Sequence, residues 1–139
     1  MRPKYIFMAD KKMVLADTSL LIDHFRKSDK SNSKLFLLTG EGYFFCISTI
    51  TEFEIYTGAK EKEEIGYWKK LLENIEVLSF DSTAAMEAVK IDKNLKLKRK
   101  QIAKPDLFIA ATAISNNLPI ATLNKKHFDR VDDLLLIDI

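Results

Sequence analysis

The sequence predicts an α/β domain built on a mostly parallel sheet, and three observations carry that prediction. Short apolar runs rich in aromatic and β-branched residues recur at Met13 to Ala16, Tyr43 to Ile47, Val77 to Phe80 and Ile120 to Thr122. Runs of this length suit parallel strands buried on both faces. Between them, apolar residues fall at helical spacing: Ile65, Trp68, Leu72 and Ile75, then Ala84, Ala88, Ile91 and Leu95, then Leu107, Ala110, Ala111 and Ile114. Each stripe turns one helix face toward a sheet. Start signals agree, with Asp81-Ser82-Thr83 before the second of these helices and Pro105 in the first turn of the third, where an amide proton has no partner to lose.

The remaining elements are shorter. Leu20, Leu21 and Phe25 continue a helix that opens near Asp17, and Leu35 to Leu38 form a second short one. Together with Ile22 and Phe36, they make more apolar surface than two short helices hide against one sheet, an excess that marks a protein interface. A last apolar run, Leu134 to Ile137, is expected to add a closing edge strand, giving four or five strands in all.

With 139 residues and 47% hydrophobic content the chain makes one compact domain. Residues 1–12 read as an N-terminal extension, and residues 13–139 as the domain. Tyr5 to Ala9 is too short for a signal-peptide core and is followed by Asp10-Lys11-Lys12; no run reaches the length of a membrane span. Cys46 is the only cysteine, which excludes an intramolecular disulfide and a thiolate metal cluster and suits a reducing cytoplasm. The formal charge of +2 says little about partners, because a nucleic-acid binder is marked by clustered cations.

In an open parallel sheet, ligands bind beyond the carboxyl ends of the strands. The polar residues there are few. Asp17 follows the first run, Glu52 lies one helical turn past the second, Asn124 stands two residues past Thr122, and Asp106 opens the helix before that strand. Oxygen donors meeting on one rim make a site for a hard cation such as Mg²⁺ or Mn²⁺. Each acid also has an ordinary use. Thr49-Ile50-Thr51-Glu52 fits a capping box, Asp106 fits a first-turn acid, and Asp17 fits an N-cap. Asp81 also follows a strand and is read as an N-cap. Glu54, two residues from Glu52, is expected to point away from the rim, and His127, beside Phe128, reads as structural.

The strings around these acids, from Met13 to the C-terminus, resemble the PIN-domain family and most closely its VapC-type toxins. Val14-Leu15-Ala16-Asp17-Thr18-Ser19 looks like the family's first motif, and Ser48-Thr49-Ile50-Thr51-Glu52 with Gly58 is similar to its second. Lys104-Pro105-Asp106-Leu107-Phe108-Ile109-Ala110-Ala111 is the most specific, and Ala121-Thr122-Leu123-Asn124 resembles the fourth. The resemblance implies an α/β/α sandwich, with Asp17, Glu52, Asp106 and Asn124 as catalytic metal ligands for Mg²⁺ or Mn²⁺. It also implies hydrolysis of RNA, transfer RNA among the targets, leaving a 5′-phosphate. The implied partners are a cognate antitoxin and a second copy of the chain. Many family members carry Asp where this chain has Asn124, so three acids rather than four neutralise the site, and one tightly held ion is expected.

Thr18, Ser19 and Thr122 are hydroxyl candidates for aiming the carboxylates. Lys90, Lys93, Lys96, Lys98, Arg99, Lys100 and Lys104 set seven cations against Asp92 just before the Asp106 motif, a pattern able to attract a phosphate backbone or simply to solvate a helix end. Two other readings stay open on sequence: a PIN-like module that binds without cutting, and a metal-dependent phospho-receiver domain of similar size.

Overall fold

The computed structural model describes residues 12–139; the proposed extension falls outside them except for Lys12. Four strands run in parallel: β1 (Lys12–Ala16), β2 (Tyr43–Ser48), β3 (Glu76–Leu78) and β4 (Ile120–Ala121), in the order β3-β2-β1-β4. Helices α1 (Thr18–Arg26), α2 (Lys34–Gly40), α3 (Thr49–Gly58) and α4 (Lys62–Leu72) fill the two crossovers among β1, β2 and β3. Helices α5 (Ser82–Lys98) and α6 (Lys104–Ser115) lead to β4, and α7 (Lys125–Phe128) follows it.

Period-two alternation along the strands sends side chains into two cores. Leu15, Cys46 and Ile120 face one layer with Ala88, Ile91 and Leu95 of α5, Leu107, Ala110 and Ala111 of α6, and Phe128 of α7. Val14, Ala16, Ile47 and Ala121 face the other, with Leu20, Leu21, Leu35, Leu38, Ile55, Trp68 and Leu72. The chain is thus an α/β/α sandwich. Among the described residues no helix is long and apolar enough to cross a membrane.

Several expectations change. The closing strand is a single parallel bridge between Ile120 and Leu136, in which Ile120 N–H donates to Leu135 and Ile137 N–H to Ile120, each at 2.9 Å. β4 is only two residues long, so there is no ladder to extend. The apolar excess of α1 and α2 is smaller than predicted: Leu20, Leu21, Leu35 and Leu38 are core, and Phe36 and Leu37 are the large apolar side chains left exposed on α2, at 51% and 47%. α7, a single turn not expected from the sequence, buries Phe128 fully.

Asp81 is the N-cap of α5, its carboxylate accepting from the Ala84 N–H at 2.9 Å. Asp81→Ala is expected to lower stability by about 1 kcal/mol and the melting temperature by roughly 2–4 °C. Thermal unfolding measures it, and an unchanged midpoint contradicts the cap.

Candidate active site

Three of the predicted residues meet at the carboxyl end of the sheet, and none of the acids among them is a cap. Asp17 occupies the N-cap position of α1 without a side-chain capping bond. Asp106 lies in the first turn of α6, whose N-cap is Ala103, and likewise does not cap. The capping box proposed for Glu52 is absent as well. Ser48 caps α3, accepting from the Ile50 N–H at 3.0 Å, while Thr49 Oγ1 accepts from the Phe80 N–H at 3.1 Å. One residue's shift in the cap moves Glu52 out of the reciprocal position.

Asp17 is buried, 3% exposed, at the end of the central strand. Ser19 donates to its Oδ1 at 2.6 Å, and Ser19 Oγ in turn accepts from the Leu123 N–H at 3.0 Å. Thr122 Oγ1 stands 3.4 Å from Ser19 Oγ and accepts from the Asn124 N–H at 2.8 Å. These bonds tie the start of α1 to the loop after β4. Ser19, Thr122 and the Leu20 N–H all favour the charged carboxylate, yet burial, with the nearby charge of Asp106 adding to it, lifts the pKa of Asp17 from 3.8 to about 6.

Asp106 is aimed by a residue not expected to matter. His127 Nδ1 lies 3.1 Å from Asp106 Oδ2 and 2.8 Å from Asn124 Nδ2. Nδ1 can carry a proton for the acid or accept one from the amide, not both at once. In either state, His127 links Asp106 on α6 to Asn124 at the start of α7. The signal lies in the spacing: Asn124 at the N-cap position of α7 and His127 on it are three residues apart, one helical turn.

Glu52 stands apart from this group. It lies on the first half of α3, makes no hydrogen bond or ion pair with the other site residues, and its charge acts on Tyr56. Among the described residues, no three His, Cys, Asp or Glu side chains are arranged to hold a metal as they stand. Glu54 does not point away as expected. It turns toward the site's flank, where Thr18 Oγ1 donates to its Oε1 at 2.5 Å. With α3 packed on both α1 and α6, its residues border both acids' helices. Donors at the rim are carboxylate, amide and hydroxyl oxygen, the chemistry of a hard divalent cation. A cation there would offset both the burial and the neighbouring charge that push up the pKa of Asp17.

An open cleft of about 550 Å³ adjoins Asp17, lined by Thr18, Ser19, Ile22, Asp23, Arg26, Lys27 and Leu123, with Lys27 ion-paired to Asp23 at 3.4 Å. On the approach to α6, Lys96 and Lys104 are ion-paired to Asp92 at 3.0 and 3.7 Å, and Lys98 to Asp132 at 2.5 Å. Among the described residues, Lys93, Arg99 and Lys100 are exposed and form no ion pair.

The Asp17 shift has a stability consequence in metal-free protein. Folded Asp17 binds its proton more tightly than the unfolded chain does, so its stabilising contribution is full below pH 3.8 and is lost as pH rises through about 6. Metal-free Asp17→Asn is therefore expected to be more stable than the parent at pH 7.5, by at most about 3 kcal/mol, with the difference vanishing near pH 4. Urea unfolding in EDTA across that range measures it; a difference independent of pH would contradict the buried charge.

A family profile described as PIN domain matches residues 14–134. The chain is 36% identical over 124 residues to Ribonuclease VapC1 of Methanocaldococcus jannaschii, covering 89% of this chain and 85% of the relative. It is 29% identical over 97 residues to the tRNA(fMet)-specific endonuclease VapC of Salmonella typhimurium, covering 67% and 74%. The fold superposes on the crystal structure of DNA-bound VapBC from Salmonella typhimurium with a TM-score of 0.79, 26% identity and coverage of 91% and 97%. With the profile spanning nearly all of the described residues, and a relative this similar over most of both chains, the chain belongs to the PIN-domain family and resembles its VapC members.

Proposed function

We propose that this chain is a divalent-metal-dependent endoribonuclease, the toxin of a toxin–antitoxin pair, and that Asp17, Glu52, Asp106 and Asn124 hold its Mg²⁺ or Mn²⁺. The observation that carries the reading is the buried Asp17 carboxylate facing the charge of Asp106, held ready by hydroxyls and raised to about 6 where no cation offsets it. Asp81, by contrast, is exposed and bonded to a helix amide. The VapC relatives support the activity, and the transfer-RNA endonuclease among them supports a structured RNA target.

Bound at this rim, Mg²⁺ or Mn²⁺ supplies Lewis acidity toward phosphate oxygen and lowers the pKa of water. The protein's part is orientation. Ser19 and Thr122 hold Asp17, His127 holds Asp106, and Glu52 would join them from α3. Lys93, Arg99 and Lys100, exposed and without an acidic partner among the described residues, attract the RNA backbone toward the start of α6. The cleft beside Thr18 and Ser19, lined also by Arg26 and by the Lys27–Asp23 pair, offers the backbone a continuing path. Ile22 and Leu123 give it an apolar wall.

The VapBC likeness supports an antitoxin as the protein partner. Self-association is proposed on the same resemblance, with Phe36 and Leu37 as the exposed apolar residues available to it. The receiver-domain reading is set aside by the family match, and the non-cutting module is separated from a nuclease by turnover.

Asp106→Ala is expected to lower Mn²⁺-dependent RNA cleavage by roughly a hundredfold or more with the fold intact, whereas Asp81→Ala leaves specific activity nearly unchanged while lowering the melting temperature. Cleavage and thermal unfolding measured on both variants decide the matter; equal activity losses, or none in either, contradict the assignment of Asp106.

A further inference from the structure

We propose that Arg99 is a fixed RNA contact outside the metal site: the left-handed turn that ends α5 holds its guanidinium out to a backbone phosphate flanking the scissile one, which rests on the reading that the chain acts on RNA.

Helices α5 and α6 end in the same way. After α5, the Arg99 N–H donates to Lys96 O at 3.1 Å and the Lys100 N–H to Leu95 O at 2.9 Å; after α6, the Asn117 N–H donates to Ile114 O at 3.0 Å and the Leu118 N–H to Ala113 O at 2.9 Å. Each turn puts one residue in the left-handed region, with φ of 56° at both Arg99 and Asn117. Glycine takes that conformation freely and asparagine at small cost, which accounts for Asn117. Arginine has no such advantage. Nor does the helix dipole require its charge, because Lys96 and Lys98 already stand in the last turn of α5. Residues held in unfavoured backbone conformations cluster where function needs them. Arg99 is exposed, and among the described residues its guanidinium makes no hydrogen bond, ion pair or ring contact.

The backbone beneath that free side chain is held on both sides. Leu95, which accepts the Lys100 N–H, is buried in the core, and Gln101 O accepts from Arg130 Nη1 at 2.9 Å. The cations around it are engaged, Lys96 and Lys104 with Asp92 and Lys98 with Asp132. Of the three left over, Lys93, Arg99 and Lys100, only Arg99 has a planar fork that can take two phosphate oxygens at once. A fixed backbone lowers the ordering cost of that contact. Arg99 and Asp106 are seven residues apart in sequence, which limits the separation of their Cα atoms to about 25 Å. Arg99 makes no contact with the acids, so the phosphate it takes is a neighbour along the RNA of the one they would act on.

The test uses the full chain in EDTA with unfractionated transfer RNA as the probe, so that binding is read without cleavage. Between about 50 and 200 mM NaCl, Arg99→Gly is expected to weaken binding by roughly threefold or more and to reduce the slope of log affinity against log salt by about 0.7 to 1. It is expected to melt no lower than the parent, since glycine suits the turn. Arg99→Asn is expected to behave likewise, and it decides the question if Arg99→Gly does not fold. Arg99→Lys keeps the charge without the fork, so it should keep the slope and lose part of the affinity. Lys70, exposed in the last turn of α4 on the opposite face of the sheet, supplies the control: Lys70→Ala removes the same charge and should leave slope and affinity unchanged. Parental affinity and slope in Arg99→Gly and Arg99→Asn overturn the contact, as does a parent that does not bind transfer RNA. An equal loss in Lys70→Ala also overturns it, because net charge would then be the cause. So does a lower melting temperature in both Arg99→Gly and Arg99→Asn, because the arginine would then serve the fold. If the predicted binding losses occur but the parent leaves RNA intact in Mn²⁺, the contact stands and the nuclease reading falls.

Discussion

β1 is hydrogen-bonded on both sides, to β2 and to β4, and the residue that follows it is still held by the sheet: the Asp17 N–H donates to Ala121 O at 3.1 Å. That constraint buries a carboxylate at the one place where the chain has three other segments arriving. Parallel register carries β2 into α3 and β4 into α7 at the same rim, so the start of α3 and Asn124 reach the neighbourhood of Asp17 without being near it in sequence. Asp106 comes by another route, at the start of α6, which packs between α5, α3 and the sheet. The two flanking strands bury the acid that follows the central one, and the hydroxyls of Ser19 and Thr122 answer its charge.

Burying an acid is unfavourable unless its charge is satisfied. Two hydroxyls and a backbone amide hold Asp17, but they do not overcome its burial, and its pKa rises to about 6. Such strain is common where function needs it and rare elsewhere. Asp81 shows the contrast: an exposed acid after a strand, bonded to a helix amide, does the ordinary work of a cap. The difference between the two acids is burial, which lies in the packing of the strands rather than in either local sequence.

Much of the fold was readable, for reasons that vary by element. Ala84, Ala88, Ile91 and Leu95 of α5 are all buried, because a helix on one face of a sheet shows its stripe plainly. α6 shows a stripe too, but Ile109, Thr112 and Ala113 are also buried; a helix enclosed on several sides has no single face to find. The edge strand failed because pairing depends on how long its neighbour is, which Leu134 to Ile137 cannot reveal. At the site, the positions of Asp17, Asp106 and Asn124 were legible from strand ends and from the family motifs. The cap of α3 was misplaced by one residue, since Ser48 and Thr49 are equally good caps on paper and only the Phe80 amide distinguishes them. His127 and Glu54 were undervalued because their partners, Asp106 and Thr18, are 21 and 36 residues away.

The central claim is that one ion site is assembled at this rim from four separated segments. Paramagnetic broadening of backbone amide resonances by substoichiometric Mn²⁺ tests it most directly, because broadening falls steeply with distance from the ion. The account predicts strong loss of signal at Thr18 to Leu20, at Glu52 and Phe53, at Leu107, and at Leu123 to Lys125, with the amides around Asp81 and Ala84 untouched. Broadening centred on any other surface, or confined to one of the four segments, would contradict it.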